Sequence, residues 1–195
     1  MLAQHKPTVT PEEYLITERA AEWKSEYYDG EVVAMSGASR VHSLLVSNLI
    51  TGLGNRVGDT CSVFPSDMRV HVPANGLYTY PDVSVVCGDE QYLDDAYLDT
   101  LLNPVVLLEV ISISTGKTDR GSKFMFYKSI PSLQHYVLVD SQRLQVGVHS
   151  RGPGSSWLYQ EYDQPGELLP LPALNVELPL TEIYRKVLRS TAGPI

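Results

Sequence analysis

The chain has 195 residues, of which 43% are hydrophobic and 19% are charged, a composition typical of a soluble protein long enough to bury a substantial core. Its net charge of −8 argues against a generic basic surface for tight non-specific binding of nucleic acid. The same charge does not exclude chemistry on phosphodiesters, because a bound metal ion adds local positive charge.

Membrane insertion and secretion are both disfavoured by the sequence. No apolar run approaches the roughly 18 residues needed to cross a membrane, and the N-terminal segment lacks the charged-then-apolar order of a signal peptide. The two cysteines, Cys61 and Cys87, lie in strand-like stretches and do not form a metal-binding spacing. We therefore expect a cytoplasmic protein with two buried free thiols.

The first elements are predicted to be a helix and a hairpin. Thr10 is a typical N-cap, Pro11 suits the first helical position, and a glutamate follows three residues after the cap. These signals predict a helix to about residue 24. Asp29-Gly30 is a strong signal for a tight turn between two extended segments, the second at residues 31–35.

A second helix and several strands follow. Ser39 can cap a helix whose apolar residues recur along one face over residues 44–53. Short strands are expected at residues 61–64 and 68–72, before two apolar strands that each carry a carboxylate. The acidic segment 88–104 between these two strands is expected to form a surface loop or a short helix.

The last part of the chain alternates strands with helices. The predicted elements are a polar turn at 113–117, a helix from Thr118 or Asp119 to about Ser129, strands at 135–140, 144–149 and 157–162, and a helix at 180–188. The first two of these strands should pair as a hairpin. The element order indicates an α/β domain with a mixed central β-sheet flanked by helices.

Two carboxylates in apolar strands are the strongest chemical signal in the sequence. Asp82 stands at the start of the run 83–86, and Glu109 lies inside the run 104–112. A carboxylate in such surroundings is costly unless it is paired, hydrogen-bonded or bound to a metal. On adjacent strands the two side chains could converge at one end of the sheet and share Mg²⁺ or Mn²⁺.

The motifs around these carboxylates follow the order of a known family. They are Tyr28-Asp29-Gly30-Glu31, His42 at the start of a helix, Tyr80-Pro81-Asp82-Val83, residues 108–115, then Asp119, Lys123 and Tyr127 at helical spacing, and residues 135–140. This ordered set resembles the bacterial Uma-two family, within the PD-(D/E)XK superfamily of restriction-endonuclease fold. The resemblance covers roughly residues 10–188 and implies one restriction-endonuclease-like domain over residues 1–195, with an additional N-terminal helix and strands.

The resemblance implies a catalytic set built on the two carboxylates. Asp82 and Glu109 would be metal ligands, with Mg²⁺ or Mn²⁺ as the cofactor. The superfamily places a lysine two residues after the glutamate, but this chain has Ile111 at that position. Lys123, on the following helix, is the expected substitute. Lys123 would either take part in catalysis or form a salt bridge with Glu109.

Two further residues are expected at the site, and each has a structural alternative. His42 would be an active-site neighbour, or simply a satisfied residue on the first turn of its helix. Glu31 would be an additional catalytic acid, or an exposed residue of a strand. Structural alternatives also exist for the central pair: Asp82 could bond to backbone amides, and Glu109 could pair with Lys123 or Arg120.

These features together predict a metal-dependent endonuclease that hydrolyses DNA phosphodiester bonds by activating a water molecule. One alternative is a nuclease fold without activity that serves as a binding or assembly module. Another is a metal-dependent hydrolase of small phosphoesters. DNA binding should be weak or transient because the chain is acidic. A homodimer is expected by analogy with nucleases that cut both strands.

Overall fold

The computed structural model describes residues 8–93, 96–111 and 123–187. Within those ranges the helices are α1 (Pro11–Ala20), α2 (Arg40–Gly54), α3 (Phe124–Tyr127) and α4 (Leu180–Ile183), with a 3-10 helix at Pro172–Leu174. The strands are β1 (Ser25–Tyr28), β2 (Glu31–Ala34), β3 (Cys61–Pro65), β4 (Arg69–Val72), β5 (Leu77–Thr79), β6 (Val83–Cys87), β7 (Thr100–Leu101), β8 (Val106–Ile111), β9 (His135–Asp140), β10 (Val146–Arg151), β11 (Trp157–Tyr162), β12 (Leu168–Leu171) and β13 (Val176–Pro179).

The strands form two large sheets and one hairpin. The six-stranded sheet has the order β11-β10-β9-β8-β6-β3, the five-stranded sheet has the order β2-β1-β5-β4-β7, and β12 pairs with β13. Both large sheets are mixed, because β8 and β9 are parallel in the first and β4 and β7 are parallel in the second. The predicted mixed α/β fold is therefore confirmed, although the sequence pattern did not indicate that the strands divide between two sheets.

The six-stranded sheet contains the centre of the core. Every residue of β8 and of β9 is buried. Helix α2 covers one face, where Leu45, Leu49 and Leu53 are fully buried. Their spacing of four residues places them on a single stripe of the helix. The two carboxylate strands, β6 and β8, lie side by side in this sheet, so side chains at their ends are held by rigid backbone.

The N-terminal helix and hairpin form largely as predicted. The Thr10 hydroxyl accepts a hydrogen bond from the backbone N–H of Glu13, and the Glu13 carboxylate accepts one from the backbone N–H of Thr10. Helix α1 ends at Ala20, earlier than predicted, because the following residues turn to begin β1. Asp29 and Gly30, with φ values of 48° and 82°, form the two-residue turn between β1 and β2.

A buried arginine links α1 to the five-stranded sheet. Arg69 is 2% exposed and donates to the hydroxyls of Tyr80 and Thr100 at 2.9 and 3.0 Å. Its guanidinium lies 2.8 Å from the Asp99 carboxylate, while Tyr80 donates to Glu18 at 3.0 Å. Burial raises the pKa of Tyr80 to about 12, so its hydroxyl stays a neutral donor. We call Glu18, Arg69, Tyr80 and Asp99 the arginine cluster.

Cys61 and Cys87 form a disulfide that links β3 to β6. The two strands are antiparallel neighbours, and their register places the cysteines directly opposite each other with Cα atoms 4.0 Å apart. The prediction of two free thiols is therefore wrong. The bond depends on strand register, which a sequence separation of 26 residues does not reveal.

Several short elements also differ from the predictions. The predicted loop at 88–104 contains β7, and the predicted closing helix is shortened to α4 followed by turns. The hairpin β12–β13 was not predicted, because prolines interrupt its strand pattern. The predicted turn at 113–117 and the predicted helix start at Thr118 or Asp119 lie outside the described residues. Among the helices that are described, none is long and apolar enough to cross a membrane.

Candidate active site

Asp82 lies at the point where β6 begins, beside the end of β8 that carries Glu109. The two strands are antiparallel, with Val83 opposite Leu108, so the same register continued by one residue brings Asp82 opposite Glu109. A hydrogen bond fixes this arrangement, since the backbone N–H of Val110 donates to Asp82 Oδ2 at 2.7 Å. The two carboxylates singled out in the sequence therefore belong to neighbouring positions on adjacent strands.

His42 approaches Asp82 from the N-terminal turn of α2. Its Nε2 atom lies 3.1 Å from Asp82 Oδ2. The helix start that carries His42 is capped, because the Ser39 hydroxyl accepts from the backbone N–H of His42 at 3.2 Å. Both side chains are largely buried, with 24% of His42 and 13% of Asp82 exposed. With Nε2 as the donor, His42 can hold the carboxylate of Asp82 in one orientation.

Glu109 is the centre of a second group of contacts. It is 5% exposed, although it lies in an otherwise apolar strand. Lys123 Nζ lies 3.1 Å from Glu109 Oε1, and the Tyr127 hydroxyl donates to the same oxygen at 3.0 Å. Lys123 therefore contacts Glu109 from the start of α3, as the resemblance implied. This contact is compatible with both roles that the sequence leaves open for Lys123, catalysis and a salt bridge with Glu109.

Glu26 joins this group, and the sequence did not predict it. Its Oε1 atom lies 3.2 Å from Lys123 Nζ and accepts a hydrogen bond from the Thr79 hydroxyl. The ammonium of Lys123 thus contacts carboxylates from both large sheets, Glu26 on β1 and Glu109 on β8. We call Glu26, Glu109, Lys123 and Tyr127 the carboxylate cluster. No local pattern could have indicated Glu26, because its partner lies far along the chain.

Glu31, the N-terminal acid expected at the site, lies on the other strand of the same hairpin. It is exposed and pairs with Tyr28 across the turn, in β2 at the edge of the five-stranded sheet. Glu26 and Glu31 therefore occupy different environments, although only a few residues separate them. Glu26 faces Lys123, whereas all four residues of β2 are exposed.

Tyr127 is fully buried beneath the carboxylates. Burial raises the pKa of Tyr127 well above its ordinary value, and the negative charges of Glu109 and Glu26 raise it further. The hydroxyl therefore remains protonated and acts as a neutral donor to Glu109. It also lies 3.3 Å from the Thr79 hydroxyl, which links it to the five-stranded sheet.

An open cleft of about 370 Å³ adjoins Asp82 and His42. One wall is formed by successive turns of α2, and Ser66 contributes from the segment after β3. A substrate in this cleft would have access to the Asp82 end of the site. Within residues 8–93, 96–111 and 123–187, no group of three or more His, Cys, Asp or Glu side chains is arranged to hold a metal ion.

This chain is similar to known proteins over most of its length. The family Uma2, described as "Putative restriction endonuclease", matches residues 11–181 of this chain. The chain belongs to the Uma2 family. The resemblance inferred from the sequence motifs is therefore confirmed at the level of the family.

Two proteins of Synechocystis sp., both described as uncharacterized, are similar to this Uma2 chain over most of their length. Protein slr1290 is 34% identical over 180 residues, which cover 92% of this chain and 93% of that protein. Protein sll1609 is 36% identical over 154 residues, which cover 78% of this chain and 86% of that protein. Neither description assigns an activity.

A solved structure shares the fold of this Uma2 chain. It is described as "a putative nuclease belonging to DUF820" from Anabaena variabilis, and it matches with a TM-score of 0.69. The match covers 86% of this chain and 93% of that one, at 18% sequence identity. At this identity the likeness establishes the fold alone.

Proposed function

We propose that this Uma2 protein is a Mg²⁺- or Mn²⁺-dependent endonuclease that hydrolyses DNA phosphodiester bonds. The observation that carries this proposal is that adjacent strands carry Asp82, at the start of β6, and Glu109, on β8, with Lys123 in contact with Glu109. Family membership supports the reaction class. The proposed site lies beside a cleft from which a phosphodiester could reach Asp82.

The donor atoms suit a hard divalent cation. Asp82 and Glu109 would hold the ion through carboxylate oxygens. Oδ1 of Asp82 is available for this, because no hydrogen-bond donor among the described residues contacts it. Mg²⁺ is usually bound through one or two carboxylates and keeps several waters, so a site of this kind needs no cluster of three protein ligands. When bound, the ion would polarise the phosphate and lower the pKa of the attacking water.

Lys123 would supply positive charge next to Glu109 during the reaction. The superfamily position for this lysine is Ile111, which is 3% exposed and packs in the apolar core. A lysine at that position would bury its charge, whereas Lys123 enters from α3 and meets two carboxylates. In this proposal Glu109 and Glu26 hold the ammonium close to the developing negative charge of the phosphate.

His42 would act as a positioning residue for Asp82. Its ring fixes one oxygen of the carboxylate, and the backbone N–H of Val110 fixes the same oxygen from the sheet. Glu31 remains a candidate for an additional acid at the mouth of the site. Because Glu31 is exposed on β2, direct contact with the reacting phosphate is less favoured for Glu31 than for Glu26.

DNA is the proposed partner, and a homodimer is the proposed assembly. A net charge of −8 favours weak, strongly salt-dependent binding, so affinity would come from the site and its metal rather than from the general surface. Two copies would place two sites on one duplex and permit cleavage of both strands. We expect this activity in the cytoplasm.

Nicking of supercoiled plasmid at low salt tests the proposal. Wild-type protein should nick in Mg²⁺ or Mn²⁺ but not in chelator, and Asp82→Asn should nick about 100-fold more slowly or not at all. Asp59→Asn is the matched control, because it removes one carboxylate from an exposed turn. Nicking that survives in chelator, or that Asp82→Asn leaves intact, would reject the metal site.

The alternatives give different results in the same experiment. If plasmid stays intact with either metal while bis(p-nitrophenyl) phosphate is hydrolysed, the protein is a small-phosphoester hydrolase. If neither substrate is hydrolysed by folded protein, the nuclease fold serves as a binding or assembly module.

A further inference from the structure

Thr79, the last residue of β5, contacts the carboxylate cluster but has no role in the proposed reaction. Its side chain is fully buried. β5 and β1 are antiparallel neighbours with Tyr78 opposite Tyr27, so the same register continued by one residue brings Thr79 opposite Glu26. The Thr79 hydroxyl donates a hydrogen bond to Glu26 Oε1. The pairing of two strands therefore holds this hydroxyl against the carboxylate.

Thr79 and Tyr127 each donate to one of the two carboxylates that contact Lys123. The Tyr127 hydroxyl donates to Glu109 Oε1 at 3.0 Å, and the Thr79 hydroxyl donates to Glu26 Oε1. These same two oxygens lie close to Lys123 Nζ, at 3.1 Å for Glu109 and 3.2 Å for Glu26. Each oxygen that holds the ammonium therefore also accepts one hydroxyl proton.

The Glu26 carboxylate depends on Thr79 for its orientation. Among the described residues, Thr79 and Lys123 are the donors to the Glu26 side chain. The Thr79 hydroxyl has one proton to donate, and this proton is directed to Glu26. Because the Glu26 side chain is 25% exposed, water can replace a lost hydroxyl. Removing the hydroxyl should therefore free the carboxylate to turn, rather than leave it buried without a donor.

We propose that Thr79 is a positioning residue that fixes Glu26 and, through Glu26, the ammonium of Lys123. This inference rests on the proposed endonuclease function and adds to it a residue that does not touch the substrate. An ammonium stabilises the developing charge of a phosphate only when it is held at the correct place. Thr79 also stands three residues before Asp82 in the chain, so one short segment carries Asp82 and orients Glu26.

Nicking kinetics of Thr79→Val and Thr79→Ser test the role of the hydroxyl. Valine has nearly the shape of threonine but lacks the hydroxyl. The kcat for plasmid nicking should fall about fivefold in Thr79→Val, as expected for the loss of one hydrogen bond. KM should stay within about twofold of wild type, because Thr79 does not contact DNA in this proposal. Thr79→Ser restores a hydroxyl and should return kcat to within about twofold of wild type.

Thr100→Val is the matched control. Thr100 is also fully buried in the five-stranded sheet, and its hydroxyl donates to the Asp99 carboxylate at 2.8 Å, in the arginine cluster. This variant removes an equivalent donor away from Lys123, so kcat per folded molecule, with the folded fraction taken from urea unfolding, should stay within about twofold of wild type. Equal losses of kcat in Thr79→Val and Thr100→Val would overturn the inference, as would a Thr79→Ser protein as slow as Thr79→Val.

A double variant tests whether Thr79 acts through Glu26. Glu26→Gln already removes the charge that holds Lys123, so adding Thr79→Val should lower kcat by less than about twofold further. A further fivefold loss in the double variant would mean that the hydroxyl acts on another group, and it would overturn the route through Glu26.

Acetylation of Lys123 by an amine-reactive ester, followed by mass spectrometry, tests the positioning without cleavage. The Lys123 side chain is 16% exposed and should react about threefold faster in Thr79→Val than in wild type or Thr100→Val, with Lys128, directly after α3, as the internal reference. Faster acetylation in Thr79→Val without nicking by wild type retains the positioning role and rejects the nuclease proposal. Nicking that requires Asp82, with equal acetylation of Lys123 in all of these proteins, rejects the positioning role alone.

Discussion

The arginine cluster and the carboxylate cluster are both buried polar groups, but they combine charges differently. In the arginine cluster, Arg69 pairs with Asp99, which a second arginine, Arg19, also contacts at 2.8 Å, so two cations balance the carboxylates of Asp99 and Glu18 at α1. In the carboxylate cluster, the carboxylates of Glu26 and Glu109 meet at one ammonium, that of Lys123. Matched opposite charges favour a structural role. Two carboxylates from different sheets that share one cation favour a site that binds a charged ligand or substrate.

The two clusters also differ in what they position. The arginine cluster holds Tyr80, two residues before Asp82, and so anchors the segment that leads to the end of β6 where Asp82 lies. The carboxylate cluster holds Lys123 directly against Glu109. We therefore expect changes in the first cluster to act mainly on stability and changes in the second to act mainly on the reaction.

The largest expected effect on stability comes from Arg69→Met. Removing the guanidinium leaves buried polar partners without their cation, which should lower the free energy of unfolding by about 3–5 kcal/mol. Urea unfolding measures this change, and nicking per folded molecule should fall less than tenfold. Arg143→Met, at a side chain that is 62% exposed, is the control and should stay within about 0.5 kcal/mol of wild type. An Arg69→Met protein with wild-type stability but no activity would reverse the roles assigned to the clusters.

A smaller effect, on the reaction, is expected from Glu26→Gln. The amide keeps the shape of the side chain but loses the charge that holds Lys123, so nicking should slow about tenfold, or about 1.4 kcal/mol in the barrier. Glu31→Gln makes the same change on the exposed neighbouring strand. Plasmid nicking rates for both variants decide which glutamate serves the site. A larger loss of nicking rate for Glu31→Gln than for Glu26→Gln would mean that Glu31, and not Glu26, is the N-terminal acid of the site.

The smallest expected effect comes from Tyr127→Phe. Loss of the hydroxyl removes a donor to buried Glu109, and the free energy of unfolding should fall by about 1 kcal/mol at neutral pH. The pKa of Tyr127 is raised in the folded state, so the stability that its neutral hydroxyl contributes is present below the unfolded pKa of about 10 and is lost as the pH rises toward the folded value.

Denaturant unfolding of wild type and Tyr127→Phe at pH 8 and pH 10.5 measures this dependence. The stability difference between the two proteins should shrink at the higher pH, because the unfolded wild-type chain then loses a proton that the folded chain keeps. A difference that grows with pH would mean that the hydroxyl ionises more readily in the folded protein.

Local signals in the sequence predicted the elements that form from neighbouring residues. The capping box at Thr10, the turn at Asp29-Gly30 and the apolar face of α2 all depend on contacts within a few positions. The adjacency of the two strands that carry Asp82 and Glu109 was also predictable, because two apolar runs with a short acidic connection favour adjacent strands.

Contacts between distant elements could not be predicted in the same way. Glu26 meets Lys123 only because β1 and α3 pack together, and Cys61 meets Cys87 only because of the register between β3 and β6. Both depend on the three-dimensional arrangement rather than on spacing. The ordered family motifs supplied the one long-range signal in the sequence, and they indicated Lys123 but not its second carboxylate.

Calorimetric titration with Mn²⁺ tests most directly whether Asp82 and Glu109 form a metal site. Wild-type protein should show a single binding event that Glu109→Gln abolishes, while Glu177→Gln, at an exposed position on β13, should titrate like wild type. All three proteins should unfold cooperatively before the titrations are compared. Identical titrations for wild type and Glu109→Gln would contradict a metal-dependent reaction at this site and leave the carboxylate cluster with a structural role.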